Sequence, residues 1–439
     1  MVKGRRDPGL ESRQPGCIST AIRRLLGEFL SPQSRSHETM LIEALDTSPE
    51  TFLELERYCN DGSPSGFSDK YTPHDGFRAS DPVSHFPLPL FALPEIESIE
   101  VGTHNTSELR GRLPVHPDMV DLFLSLTPSV VEITVDAVAT SSGRTLYAMV
   151  EDGPVFLKLS YQGMLGRVTR RMTHAHVLSA VEVSAAYERA ILEGRLPTTF
   201  CVYREIGGIA FAASSPLGDW GYVVREASPF PAPPASVAIP SFAMFSRLDS
   251  TEGDTLLGQV VRKIWGPDPR LFFDRLLQPL VECYFASIRA TGLQLEAHAQ
   301  NVILLFGKDY ELNGVAFRDM ESIDKDLPML DRLDESRYHT PTGYKFMSAD
   351  DYNYTIKHSF MYDFKFGEYL LRPLIAAWSR ATGLSEDIAA QSVREYARGQ
   401  IEALPADFFP EGVWFDYAPV VHEGQPRRSY LEHPDPIFR

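Results

Sequence analysis

The sequence predicts an α+β protein, with a strand-rich middle section set between helical segments. Alternating, β-branched stretches crowd into residues 115–225, whereas three-to-four-residue apolar periodicity marks residues 1–58 and most of the chain beyond residue 241. A third observation sets the scale: 439 residues at 43% hydrophobic suffice for a sizeable core, built as two or three domains or as one large body with lobes.

Taken in order, CISTAIRRLLGEFL and HETMLIEALDTSPETFLELERY read as amphipathic helices. The Gly-, Pro- and Ser-rich residues 59–89 read as a long functional loop or linker. VEITVDAVAT alternates as a strand, TLYAMV and VFLKLSY flank the turn EDGP as a hairpin, and WGYVVREA forms a further strand. SPFPAPPASVAIP is a proline-rich connector. Next comes RLFFDRLLQPLVECYFASIRAT, a long helix ended by Gly292, which is free to adopt the left-handed cap conformation. Strands NVILLF and GVAFRDM follow, joined at GKDYELN, and then helices FGEYLLRPLIAAWSRAT and SEDIAAQSVREYARGQIEAL.

Charge and composition exclude several function classes. The formal net charge is −17 and no Lys/Arg run occurs, so neither nucleic acid nor an anionic membrane is an expected partner; both are held through clustered cations. Cys17, Cys59, Cys201 and Cys283 lack CxxC spacing, which suits a reducing compartment without a disulfide framework or zinc knuckle. The N-terminal cations are not followed by an apolar run, and FPLPLFALP is short and broken by proline. A cytoplasmic location is the expectation.

Three constellations could carry chemistry. In TSSGRT, the hydroxyls of Ser141, Ser142 and Thr145 with the Arg144 guanidinium could cradle a phosphate, although an ordinary polar hairpin turn explains the same residues. Lys158 lies inside the apolar strand FLKLSY, with Arg170 twelve residues on; a lysine there must find a partner, such as a polyphosphate, or reach outward to solvent. Finally, EAHAQN places His298, Gln300 and Asn301 at the mouth of a strand, and FRDMES places Asp319 and Glu321 at the end of the next. Asn301, Asp319 and Glu321 are oxygen donors of the kind that hold Mg²⁺, while a lone His is more often structural. Hydroxyls, cations, a histidine and paired carboxylates together suit ATP chemistry, yet neither GxxxxGK[ST] nor GxGxxG occurs.

These residues carry a resemblance. LPVHP (113–117), TSSGRT, Lys158 with VT before Arg170, GYVVREASP, LEAHAQN and FRDMES follow in the order found in the siderophore synthetases that act independently of non-ribosomal peptide synthetases, the family named after aerobactin synthetases. The resemblance implies a hand-shaped, multi-lobe synthetase with a central palm β-sheet flanked by helical lobes. It divides the chain into a shortened helical and loop region (1–111), a β-rich part with phosphate-binding residues (112–240), and palm strands with a C-terminal helical lobe (241–439). It implies ATP and Mg²⁺, adenylation of a carboxylic acid such as citrate, and transfer to an amine or alcohol; family members are often homodimers. By the same resemblance Ser142, Arg144, Thr145, Lys158 and Arg170 contact ATP, with Ser141 beside them. His298 sits between carboxylate and α-phosphate as a catalytic residue with Lys158 and Arg170. Gln300 and Asn301 meet the nucleotide, and Asn301, Asp319 and Glu321 hold the metal. The family's N-terminal Gly-His-Pro-x-His-Pro segment is not recognisable, so nucleotide binding is better supported than citrate as the acid. A kinase-like phosphotransferase and a non-catalytic nucleotide-binding relative are the alternatives; EAHAQN lacks the aspartate of a kinase catalytic loop.

Overall fold

The computed structural model describes residues 42–60, 76–79, 81, 85–93, 98–104, 106–165, 168–246, 254–341, 344–351, 353–422, 425–433 and 438–439. The expected helix at CISTAIRRLLGEFL and most of the 59–89 stretch lie outside them. The first helix is α1 (Pro49–Tyr58), started by Ser48, whose Oγ accepts from Thr51 N at 3.2 Å. Then come β1 (Phe86–Ala92), β2 (Ser98–Gly102), β3 (Arg112–Pro114), α2 (Val120–Leu126), β4 (Val131–Ala139), β5 (Thr145–Val150), β6 (Gly153–Leu159), β7 (Tyr161–Leu165) and β8 (Val168–Arg170). Helix α3 (His174–Leu192) leads into β9 (Phe200–Val202), β10 (Glu205–Phe211), β11 (Tyr222–Glu226) and β12 (Val237–Pro240). Helix α4 (Gln278–Thr291) precedes β13 (Leu293–Gln294), β14 (Val302–Phe306), β15 (Leu312–Phe317), β16 (Asp324–Asp326) and β17 (Phe346–Met347); α5 (Arg372–Thr382) and α6 (Glu386–Ile401) follow.

The larger sheet has the order β2-β10-β11-β6-β5-β4-β1-β3, antiparallel throughout. A smaller sheet, β12-β14-β15-β9, is antiparallel except for the parallel pair β15–β9. Residues 86–89, expected as the end of the long loop, instead open strand β1, FPLPLFA. The Pro89 carbonyl accepts from Val115 N on the side away from β4, and Pro87 shares that parity. Both missing N–H groups therefore face the flank that β3, paired only with Leu90–Ala92, leaves uncovered. The proline-rich connector likewise ends in a strand, β12.

Side-chain alternation decides what lies between the layers. Leu146 and Ala148 of β5 and Leu157 and Leu159 of β6 pack on one face with Leu88, Phe123 and Tyr222. Tyr147 and Phe156, on the opposite face, pack against Ile303, Leu305 and Ala316 of the small sheet, with Phe52 and Leu53 of α1. The two sheets are thus joined face to face near β5, β6 and β14.

Helix α3 was not foreseen; residues 115–225 read as strands. It is buried on two sides, against Val101 and Val223 through Val177 and Ala180, and against the C-terminal helices through Val183, Tyr187 and Ala190. A helix covered on both sides has no single apolar stripe to betray it. The expected helix at 270–291 forms, with Gly292 left-handed (φ 67°), but a π-turn at Phe273–Leu277 precedes Gln278–Pro279. A second π-segment, Phe360–Leu371, precedes Arg372–Pro373. Each widens the helix where the proline ring would otherwise crowd the carbonyl four residues back.

Candidate functional site

The same alternation aims charged side chains into the seam between the sheets. In the larger sheet, Thr145 pairs with Lys158 and Lys158 with Val223, while Phe156 pairs with Arg225. Lys158, two residues after Phe156, shares its face, and Arg225 lies diagonally across from it. Lys158 is 1% exposed, so its ammonium has to be neutralised. It contacts Asp319 Oδ1 directly and lies 3.2 Å from Glu321 Oε1. Arg144 Nη2 donates to the same Glu321 oxygen at 2.8 Å. Arg225 Nη2 donates to Asp319 Oδ1 at 3.2 Å and to buried Glu205 Oε1 at 2.5 Å.

Asp319 and Glu321 were expected at a strand end. They lie two and four residues beyond β15, which stops at Phe317. Asp319 takes the left-handed conformation (φ 75°) and Glu321 sits in the following 3₁₀ turn, Met320–Ser322. This turn folds both carboxylates back onto the cations. Burial alone would raise them, but Lys158 with Arg225 and Arg144 holds Asp319 far below the usual carboxylate range, and Lys158 with Arg144 lowers Glu321.

Arg170 completes the cation set. Its side chain makes no hydrogen bond or ion pair with any described residue, and burial, followed by the Arg144 charge, disfavours its charged form. Its carbonyl accepts from Arg144 Nη1 at 3.4 Å, so the two arginines are neighbours.

The opposite wall is the turn 298–301. Asn301 N donates to His298 O at 2.8 Å, and Ala299 N to Tyr369 O at 3.1 Å. The His298 ring is buried, its Nδ1 lacks a hydrogen-bond partner, and burial lowers it to about 4 against the opposing pull of Glu296. The imidazole is therefore neutral near pH 7. Glu296 pairs with Lys365 at 2.9 Å; burial opposes its ionisation, but Lys365 and His298 bring it down to about 2. Asn301 Nδ2 donates to Glu296 O at 3.0 Å, leaving its own carbonyl oxygen directed elsewhere.

One residue outside every quoted motif ties the walls together. Glu56, fully buried on α1, accepts from Ser141 N (3.1 Å) and Ser141 Oγ (2.7 Å), and its other oxygen lies 2.7 Å from Arg318 Nη2. Arg318 Nε in turn donates to Gln300 O at 2.7 Å, and Gln300 Nε2 donates to Ser141 Oγ at 3.3 Å. The Ser141 hydroxyl and amide are thus committed within the protein. Ser142 Oγ accepts from Thr145 N at 3.0 Å and closes its turn. His176 at the start of α3 packs against Tyr344 with ring centroids 4.3 Å apart and planes tilted by 52°, within electrostatic reach of Glu321.

The structure therefore brings Arg144, Lys158, Asp319 and Glu321 into direct contact, sets Arg170 beside them, and joins Ser141 to Gln300. His298 feels Asp319 through space without touching it. Sequence reasoning gave no role to Glu56, Glu205, Arg225, Arg318 or Lys365, although Arg225 and Arg318 stand in the quoted motifs GYVVREASP and FRDMES. Among the described residues no three His, Cys, Asp or Glu side chains form a ready metal cluster. Glu321 Oε2, however, is buried without a hydrogen-bond partner, and the oxygen-only set of Asp319, Glu321 and the Asn301 carbonyl has the chemistry of a hard-cation site completed by phosphates.

The fold has close counterparts among solved structures. The petrobactin biosynthesis protein AsbB of Bacillus anthracis str. Sterne aligns with a TM-score of 0.68 at 15% identity, over 88% of this chain and 75% of that one. The fold is that of the aerobactin synthetases. ATP-bound aerobactin synthetase IucA from a hypervirulent pathotype of Klebsiella pneumoniae aligns at 0.62 and 16% identity, over 83% and 73% of the two chains. IucC from the same source aligns at 0.60 and 15%, over 83% and 76%. By sequence, residues 270–412 match the profile of the ferric iron reductase FhuF-like transporter family. No curated protein matches the chain. Within the aerobactin-synthetase fold, no described helix is long and apolar enough to cross a membrane.

Proposed function

We propose that the chain is an ATP-dependent ligase that adenylates a carboxylic acid and passes the acyl group to an amine or alcohol. The single observation that carries this is the gathering of Arg144, Lys158, Arg170 and Arg225 around two carboxylates at the seam of the sheets. A carboxylate attacking the α-phosphorus of ATP brings like charges together, and such a cluster offsets that repulsion in a buried setting. The attacking oxygen bonds to phosphorus as the bond to the β-phosphate oxygen breaks, releasing pyrophosphate. The amine or alcohol then attacks the acyl carbon, AMP leaves, and the nucleophile's proton is lost.

Arg170, which feels Asp319 and Glu321 through space but is ion-paired with no described residue, is the cation best placed to receive the acid or the phosphates. Lys158 and Arg144 can exchange Asp319 and Glu321 for phosphate oxygens. His298, being neutral, can donate a hydrogen bond to the forming adenylate without adding a competing charge. Lys365, beside Glu296 and His298, extends the cationic lining toward the acid. Asp319, Glu321 and Asn301 would hold Mg²⁺, which neutralises phosphate charge when bound. The acid and nucleophile are small molecules, and the cytoplasm is the proposed location.

The test is acid-dependent pyrophosphate release with ATP, Mg²⁺, hydroxylamine and a panel of polycarboxylic acids. Hydroxamate together with AMP and pyrophosphate supports the ligase. ADP would instead indicate phosphotransfer, and ATP bound but intact would indicate a binding relative; either result overturns the proposal.

A further inference from the structure

At the other end of α3 lies a second cationic site. Arg189 is thirteen residues along the helix from His176, a rise of about 20 Å. Around it, Arg195, Arg289, Arg337, Glu335 and Tyr338 line a pocket of about 540 Å³, with Glu193 also contributing. That volume suits a small molecule. Four arginines and two glutamates in one concavity run against a chain whose formal net charge is −17.

The arginines are held in place. Arg189 lies 3.7 Å over the Tyr338 ring and Arg337 lies 4.8 Å over it, so the ring orients two guanidiniums. Glu335 fixes Arg189 by a direct ion pair and Arg195 through Nη2 at 2.9 Å, while Arg195 Nε also meets Glu193 at 2.7 Å. Arg337 is paired with Asp334 at 2.7 Å. Arg289 differs from the other three. It comes from the C-terminal turn of α4, is partly buried, and finds only the Gln400 carbonyl at 3.5 Å, with no carboxylate among the described residues in ion-pairing distance. Glu282 acts on it only through space, and a partly buried guanidinium with no anion in contact is costly unless a ligand supplies one. Arginine rather than lysine at all four positions suits planar, bidentate oxyanions.

We propose that this pocket binds a small oxyanion, carried by a phosphate or a carboxylate compound, at a site separate from the ligase centre. Arg289 is its principal anchor and Arg337 its outer contact.

Titration of the full chain by isothermal calorimetry, with pyrophosphate in one arm and citrate in the other, tests this and shows which anion carrier is preferred. Two binding events are expected in the preferred arm. Arg289→Met and Arg337→Met should each weaken one event by about tenfold or more while leaving ATP turnover and the other event intact. Lys158→Met should remove the event that the two arginine variants retain. Arg337, with 61% of its side chain exposed, can be replaced without risk to folding, so a failure of Arg289→Met to fold leaves the test in place. Wild-type binding in both arginine variants would overturn the proposal, as would a single event lost in Lys158→Met. Loss of pyrophosphate release alone, with both events kept, would count against the ligase reading and leave this site standing.

Discussion

Lys158 and Arg225, on adjacent strands of one sheet, converge on a single oxygen, Oδ1 of Asp319. Two cations on one carboxylate oxygen, with a third, Arg144, on neighbouring Glu321, form a charge cluster rather than a set of separate pairs. Removing one member leaves the others partly uncompensated.

Lys158→Met should therefore cost more than its own contacts. Burial of Glu321 with one cation fewer should lower stability by about 3 kcal/mol, and pyrophosphate release should fall below detection. Urea denaturation and the release assay measure the two effects; a variant as stable as wild type would show that Arg144 and Arg225 suffice.

His298→Ala should separate chemistry from folding. The ring accepts no hydrogen bond at Nδ1 and is neutral, so its loss leaves no charge stranded. Turnover should drop by roughly 10²–10⁴-fold while the far-ultraviolet dichroism is unchanged. If the variant does not fold, the histidine is structural.

Acid should weaken the fold in a defined window. His298 is held at about 4 by burial, against an ordinary 6.5, and buried His339 and His358 are held at about 4 and about 3. The unfolded chain takes up these protons below about pH 6.5, and the folded chain does not until near pH 4, or near pH 3 at His358. Their contribution is thus complete above pH 6.5 and is lost as pH falls toward 4. Glu296, lowered from 4.5 to about 2, contributes above pH 4.5 and loses that contribution as pH falls toward 2. Denaturation midpoints measured from pH 7 to 4 should decline, and His298→Asn should flatten part of the slope. A midpoint constant across this range would refute the assignment.

Glu56→Gln keeps the shape of the side chain and removes its charge. It should destabilise the protein by about 3 kcal/mol and raise the KM for ATP, because Ser141 and Arg318 lose their common anchor. Ser141→Ala should cost about 1 kcal/mol. A double-mutant cycle should give a coupling above about 0.5 kcal/mol; additive effects would mean that the two residues act independently.

Much of this was legible in the sequence because alternation is a local property. FLKLSY places Lys158 on the face of Phe156, and Gly292 marks the end of α4. The ordered motifs also singled out Arg144, Lys158, Asp319 and Glu321, though as contacts to nucleotide and metal rather than to one another. What stayed hidden depended on distant packing. Helix α3 lost its period by being covered on two sides, and β1 looked disqualified by prolines until its free flank was known. Asp319 leaves its strand early because a backbone turn, not a side-chain pattern, redirects it. Glu56 looked like one more polar residue on an amphipathic helix, and only the docking of α1 gives it a partner.

That docking has a kinetic side. The contact from Glu56 to Ser141 spans 85 residues, and the contact from the same carboxylate to Arg318 is longer still. Contacts of such high order are closed late, after local hairpins and helices have formed. A nascent or partly unfolded chain can therefore carry every residue proposed to contact nucleotide and still present no assembled site, so ATP affinity would report complete folding.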